Sequence, residues 1–209
     1  MIFRDGVELG NEAARLLAER SASLTRCRIE PGLTDDEFAQ IEREFGFEFA
    51  DDHRAFLATG LPVSVPFIDP PGVISAWREP WPDWRDGDRD RLRVRLAGPV
   101  EGVLFDVERN GFWSGEWGAR PDIRDEAVSI ARAALAGVPT LVPVFGHRFL
   151  PSGRGTLGHP VLSVHQTDLV YYGLDLRDWV GQEFGGPGLD RRDDAWNPQA
   201  TARFWRDLL

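Results

Sequence analysis

The sequence predicts an α+β fold, a single domain in which a mainly antiparallel sheet is wrapped by several helices. Three observations carry this reading. Four short apolar or alternating runs, Thr140–Phe145, His147–Leu150, Val161–His165 and Leu169–Tyr172, follow one another closely. Gly146, the Pro151–Gly158 stretch and the Gln166–Asp168 corner separate them, and β-branched or aromatic runs bounded by turn residues are the strand signature. The connections are too short for crossover helices, so the strands pair antiparallel as a C-terminal meander. The third observation is a change of period after Gly173, where Leu176, Trp179, Val180 and Phe184 recur at helical spacing and predict a closing helix.

Taken from the start, residues 8–22 set Leu9, Ala13, Leu16 and Leu17 along one helical stripe. Thr25–Ile29 is a candidate strand before Pro31–Gly32. Thr34 followed by Glu37 forms a capping box, with Leu33 placed to staple against Phe38. Asp35 and Asp36 suit the positive end of the helix dipole, and Gly46 ends the helix. A second helix is predicted from Asp51–Asp52 to Gly60, burying Phe56 and Leu57. Residues 61–87 hold six prolines with Trp77, Trp81 and Trp84, which predicts a rigid loop with one strand over Val73–Trp77. Asp88 opens a helix through Leu92 and Leu96. Gly98–Pro99 predicts its end, with a second short helix over Val100–Val107. Residues 110–121 form another aromatic, glycine-rich loop. Asp122 is the expected cap of a helix running to Gly137. The stretch 185–197 looks mobile, and Asn197–Pro198 starts a last helix burying Phe204, Trp205 and Leu208.

Composition narrows the function. The net charge is −10, with 34 acidic residues against 24 basic. Such a surface disfavours nucleic acid and suits a basic partner. No apolar run approaches the roughly 20 residues of a membrane span, and the N-terminus lacks a signal core, so a cytoplasmic protein is expected. All 24 basic residues are arginine, which removes Schiff-base and P-loop lysine chemistry. One cysteine, Cys27, leaves no disulfide framework or cysteine-rich zinc site.

Enzyme-like constellations are thin. His147, His159, His165 and Asp168 lie close in sequence on adjacent predicted strands, but their intervals match no recognised ligand pattern. The glycines of 151–159 suggest a phosphate loop, yet no lysine and no helix follow, so a hairpin connection fits better. Asp106, Glu108 and Glu116 could pair as carboxylates, although acids on so acidic a chain usually face water. No catalytic residue, metal or cofactor is expected. The tryptophans remain: packed as a satellite core they would be structural. Exposed beside neighbouring acids, Trp77, Trp81, Asp83, Trp84, Asp86, Trp113, Glu116 and Trp117 would make an aromatic–acidic face for an arginine- or lysine-rich protein partner.

Three stretches carry a resemblance. LTDDEFAQIEREFGFEFADDHRAFLATGLPV at 33–63, a capped helix, a short link and the Arg54-Ala55-Phe56-Leu57 end, resembles the N-terminal signature of the SUKH superfamily. GVLFDVERNGFWSGEWGARP at 102–121 is similar to the middle of its actinobacterial-type members. SVHQTDLVYYGLDLRDWVGQEF at 163–184 is similar to the closing strand–strand–helix of its bacterial members. His53 departs from the pattern, standing where the family often has an aromatic. The superfamily includes a fungal cell-wall-synthesis regulator and many bacterial toxin-immunity proteins. The resemblance implies a helix-wrapped antiparallel sheet over 31–184, with 1–30 as a helical extension and 185–209 as a loop and short helix. It further implies a non-enzymatic binding role, often as an immunity protein neutralising a partner toxin, and the acidic balance adds the expectation that the toxin domain is basic and is occluded on binding. The alternatives are a regulatory scaffold, or a metal-dependent hydrolase using the sheet histidines.

Overall fold

The computed structural model describes residues 5–21, 27–65, 80–185 and 202–209. Helix α1, Gly6–Ser21, leads into β1, Cys27–Glu30, then α2, Asp35–Phe45, and α3, Asp51–Thr59. Strand β2, Leu61–Ser64, precedes the long helix α4, Arg89–Arg109, a single 3-10 turn at Gly115–Trp117 and α5, Arg124–Leu135. Strands β3 to β6, at Leu141–Phe145, Arg148–Pro151, Val161–His165 and Asp168–Gly173, lead to α6, Leu176–Glu183, and α7, Arg203–Arg206. Among the described residues no helix is long and apolar enough to cross a membrane.

The four strands β3-β4-β5-β6 form the expected antiparallel meander, and the fold is α+β. Its pleat divides the apolar side chains between two cores, because alternate residues of a strand face opposite sides. Val142, Val144, Leu150 and Val161 join a core with α1, α2, α3 and α6. Leu141, Phe149, Leu162 and Val164 join another with Val103, Leu104 and Val107 of α4, Ala127 and Ala131 of α5, and Trp205. The meander is therefore the middle layer, with helices on both faces.

The capping box of α2 is present as the sequence predicts. Thr34 Oγ1 accepts the Glu37 amide, the Glu37 carboxylate accepts the Thr34 amide at 2.7 Å, and Gly46 closes the helix at φ 73°. Helix α1 packs into the core rather than trailing beside it. A Cβ on Gly10 would stand 2.2 Å from the Asp52 carbonyl oxygen, so only glycine permits this approach of α1 to α3.

Three local expectations change. Strand β2 was not foreseen; Pro62 lies inside it, opposite Ile29 in a two-stranded pairing with β1, where a missing amide is tolerated. Helix α4 does not break at Gly98–Pro99. Pro99 cannot donate to the Arg95 carbonyl, but Leu92 is anchored in one core and Val103, Leu104 and Val107 in the other, so both halves are held. Asp122 is not the cap of α5: Ile123 occupies that position without a side-chain bond. The strand expected over Val73–Trp77, the 185–197 stretch beyond Gly185, and the Asn197 cap lie outside the described residues.

Candidate functional site

The C-terminal end of α4, the loop that follows it and the β5–β6 turn meet at one end of the meander. Gly102 allows the meeting, since a Cβ there would lie 2.9 Å from the Gln166 Cα. Gln166 takes φ 57°, the one positive φ among the described non-glycine residues, so the turn is tight and slightly strained. Asp106 reaches it from the helix. Its Oδ2 accepts the Thr167 amide at 2.9 Å and the Thr167 hydroxyl at 2.6 Å, and the Asn110 amide group donates to Oδ1. Burial works to raise the Asp106 carboxyl, but these donors and the nearby His165 outweigh it and hold the group below its ordinary range.

Between the loop and the turn lies an open cleft of about 440 Å³. Phe112 and Gly111 form one wall, His165, Gln166 and Asp168 the other, and Asp106 the floor. Among the described residues no arginine lines it. Asp168 and His165 are exposed there, and the Asp168 carboxylate has no hydrogen-bond or ion-pair partner among the described residues. The phenyl ring of Phe112 is set edge-on against Trp117, with centroids 5.9 Å apart. The chemistry on offer is two carboxylates, a histidine, two side-chain amides, a hydroxyl and an aromatic ring, opening to solvent.

The eight residues expected to form one aromatic–acidic face separate. Trp77 lies outside the described residues. Trp81 and Trp84 are core residues, 3% and 0% exposed, which corrects their placement on a binding surface. Trp81 packs on Phe145 and Trp179 and stacks on Phe184, while Trp84 is ringed by Phe45, Phe47 and Phe49. The loop carrying them is tied down by Arg85. Its Nε donates to Glu37 at 2.5 Å, its Nη1 and Nη2 donate to the carbonyls of Pro31 and Gly32, and the Glu37 carboxyl is brought down to about 2, chiefly by the Arg85 bond. Asp83 turns inward to accept the Arg85 and Asp86 amides, leaving Asp86 exposed.

The second loop stays at the surface. Trp113 and Trp117 are half-buried, edge to face at 5.3 Å, and the Trp113 indole donates to the Gly118 carbonyl at 2.8 Å. Trp117 stacks on Phe204 of α7, and Glu116 is paired with Arg203 at 2.7 Å. These aromatic rings adjoin the cleft through Phe112. Of the residues around the cleft, Asp106, His165 and Asp168 were noticed in the sequence, but for other chemistry. Asn110, Phe112 and Thr167 were visible only as turn and loop residues.

The histidines do not converge as a set. His147 and His165 lie at the hairpin end of the meander, and burial, then the adjacent Arg148 guanidinium and the nearby His165, lower His147. His159 lies at the opposite end, buried, with neither ring nitrogen bonded among the described residues. Among the described residues no three of His, Cys, Asp and Glu assemble into a group able to hold a metal ion. Comparison with protein-family models, with curated proteins and with solved structures finds no match to this chain.

Proposed function

We propose that the chain is a non-catalytic protein-binding module of the immunity kind, resembling SUKH proteins. It would neutralise a basic toxin domain by covering the toxin's active site. The docking face is the end of the meander where the 110–121 loop and the β5–β6 turn border the cleft. The observation that carries this is the coincidence, on a chain of net charge −10, of half-exposed Trp113 and Trp117 with an open cleft bearing an unpaired carboxylate. Tryptophans at a surface rim supply contact area at low entropic cost, and complementary charge steers a basic partner.

Co-expression with the product of the neighbouring gene tests the reading. Restored growth, with a one-to-one complex weakened by Trp113→Ala or Trp117→Ala in a variant that keeps its fold, is the expected result. No complex and no protection would overturn it.

A further inference from the structure

We propose that the cleft between Phe112 and the β5–β6 turn is a receptor for a single guanidinium group, the arginine side chain of a protein partner. The inference deepens the protein-binding reading of this face, on which it rests for the identity of the partner. The binding chemistry itself belongs to the cleft.

Charge comes first. Asp106 and Asp168 both line the cleft, and among the described residues no arginine does; His165 is its one basic lining side chain. Some neighbouring acids are taken up by arginines: Arg203 holds Glu116, Arg132 holds Glu101 and Arg109 holds Glu108. Asp168 alone among these has no partner in the described residues, although the chain carries 24 arginines. The carboxylate stands open at the mouth of a cavity.

The two acids play different parts. Asp106, 4% exposed, is saturated by Thr167 and Asn110 and contributes its charge from the floor without offering a free lone pair in a useful direction. Asp168 is the acceptor that a guest can reach. A guanidinium presents two parallel N–H donors to a carboxylate, which an ammonium cannot do.

Shape and polarity select the same guest. The volume of about 440 Å³ holds a side chain rather than a folded element. Phe112 adds an aromatic ring to the lining, the kind of group on which a planar cation stacks. The opposite wall is the Gln166–Thr167 backbone, fixed by the Asp106 clamp and by the close approach of Gly102, so the cleft is formed in advance of binding.

The test titrates the full chain, labelled with nitrogen-15, with N-acetyl-arginine amide and in parallel with N-acetyl-citrulline amide, its uncharged isostere. Saturable shifts are expected at the amides of Gly111, Phe112, Gln166, Thr167 and Asp168, with millimolar affinity for the arginine compound. Affinity about tenfold weaker is expected for citrulline and for the Asp168→Asn variant, because a charge-assisted pair is replaced by a neutral one. Equal binding of the two compounds, shifts elsewhere, or no saturation would overturn the proposal. The comparison on the unmodified chain stands even if the variant fails to fold. Arginine binding without a complex to the neighbouring gene's product would keep this site and remove the immunity reading; a complex without arginine binding would do the reverse.

Discussion

Asp106 and Thr167, 61 residues apart, are joined by two hydrogen bonds to one oxygen: the Thr167 amide at 2.9 Å and its hydroxyl at 2.6 Å both donate to Asp106 Oδ2. This contact fixes the β5–β6 turn against α4 and thereby sets one wall of the cleft. Removing the acceptor leaves a part-buried amide and hydroxyl that must turn to the water of the cleft, so Asp106→Ala should cost about 1–3 kcal/mol. Asp106→Asn, which keeps one acceptor, should cost less. Urea denaturation of the two variants checks the order. Because the Asp106 carboxyl is held below its ordinary range, its stabilisation is complete above the unfolded value of 3.8 and disappears as pH falls through the folded one.

The two tryptophan loops should respond differently to truncation. Trp84 is fully buried among three phenylalanines, and Trp84→Ala should cost about 3–5 kcal/mol through the cavity it leaves. Trp113 is half-buried and bonds only its own loop, so Trp113→Ala should cost less than half as much. Partner binding should show the opposite order once folded fractions are matched. Circular dichroism during denaturation, paired with a binding assay, separates the two quantities. Similar stability losses for both variants would contradict the assignment of Trp113 to a surface.

The same loops show what could be read from sequence. Elements specified by local chemistry were legible: the Thr34–Glu37 box, the Gly46 end of α2, the meander and the Leu176–Phe184 stripe each depend on residues a few positions apart. Strand β2 was hidden because Pro62 argues against a strand unless its amide faces no partner. Helix α4 survives Pro99 because two separate cores grip its ends, which no local pattern reports. The sequence leaves burial and exposure of Trp81 and Trp84 both open. Proline fixes the shape of that loop, but the Arg85–Glu37 bond, made across 48 residues, decides which way its rings turn. For the cleft, the sequence groups His165 and Asp168 with the other histidines and Asp106 with other acids, while the turn that unites the three depends on the nearness of Gly102 to Gln166.

The crossing of α1 and α3 supplies a sharp test of how closely the N-terminal helix belongs to the fold. A Cβ added at Gly10 would meet the Asp52 carbonyl oxygen at 2.2 Å and the Phe56 amide nitrogen at 2.7 Å, both backbone atoms that cannot swing aside. Gly10→Ala would gain about 1 kcal/mol in an open helix, where alanine is the better former. Here the clash should reverse the sign, costing about 2 kcal/mol or more as the helices are pushed apart. A melting temperature unchanged or raised by Gly10→Ala would show that α1 is not seated as described.

Acid sensitivity should arise from the base of α3 and the connection before β5. Burial brings His53 down from 6.5 to about 3 and His159 to about 4, so the folded protein holds both neutral. Their contribution to stability is complete above pH 6.5 and is lost as pH falls towards 4 and then 3, because the unfolded chain takes up those protons first. Asp52 acts in the other direction. Burial raises it from 3.8 to about 6 despite amide donors from Gly158 and His53, so its ionisation costs stability as pH rises from 3.8 to 6, and that cost is relieved in acid. Two histidines displaced further than one aspartate should win, giving a net loss of stability between pH 6.5 and 4. His159→Leu provides the separating variant. Both ring nitrogens of His159 are buried and unbonded among the described residues, so an apolar replacement should stabilise by about 1 kcal/mol at pH 7, where only desolvation is recovered. The gain should be larger at pH 5, where the unfolded wild-type chain carries the proton that the folded one refuses. Thermal melts of the two proteins at both pH values read this directly. A constant difference across the range would assign the acid loss to His53 alone.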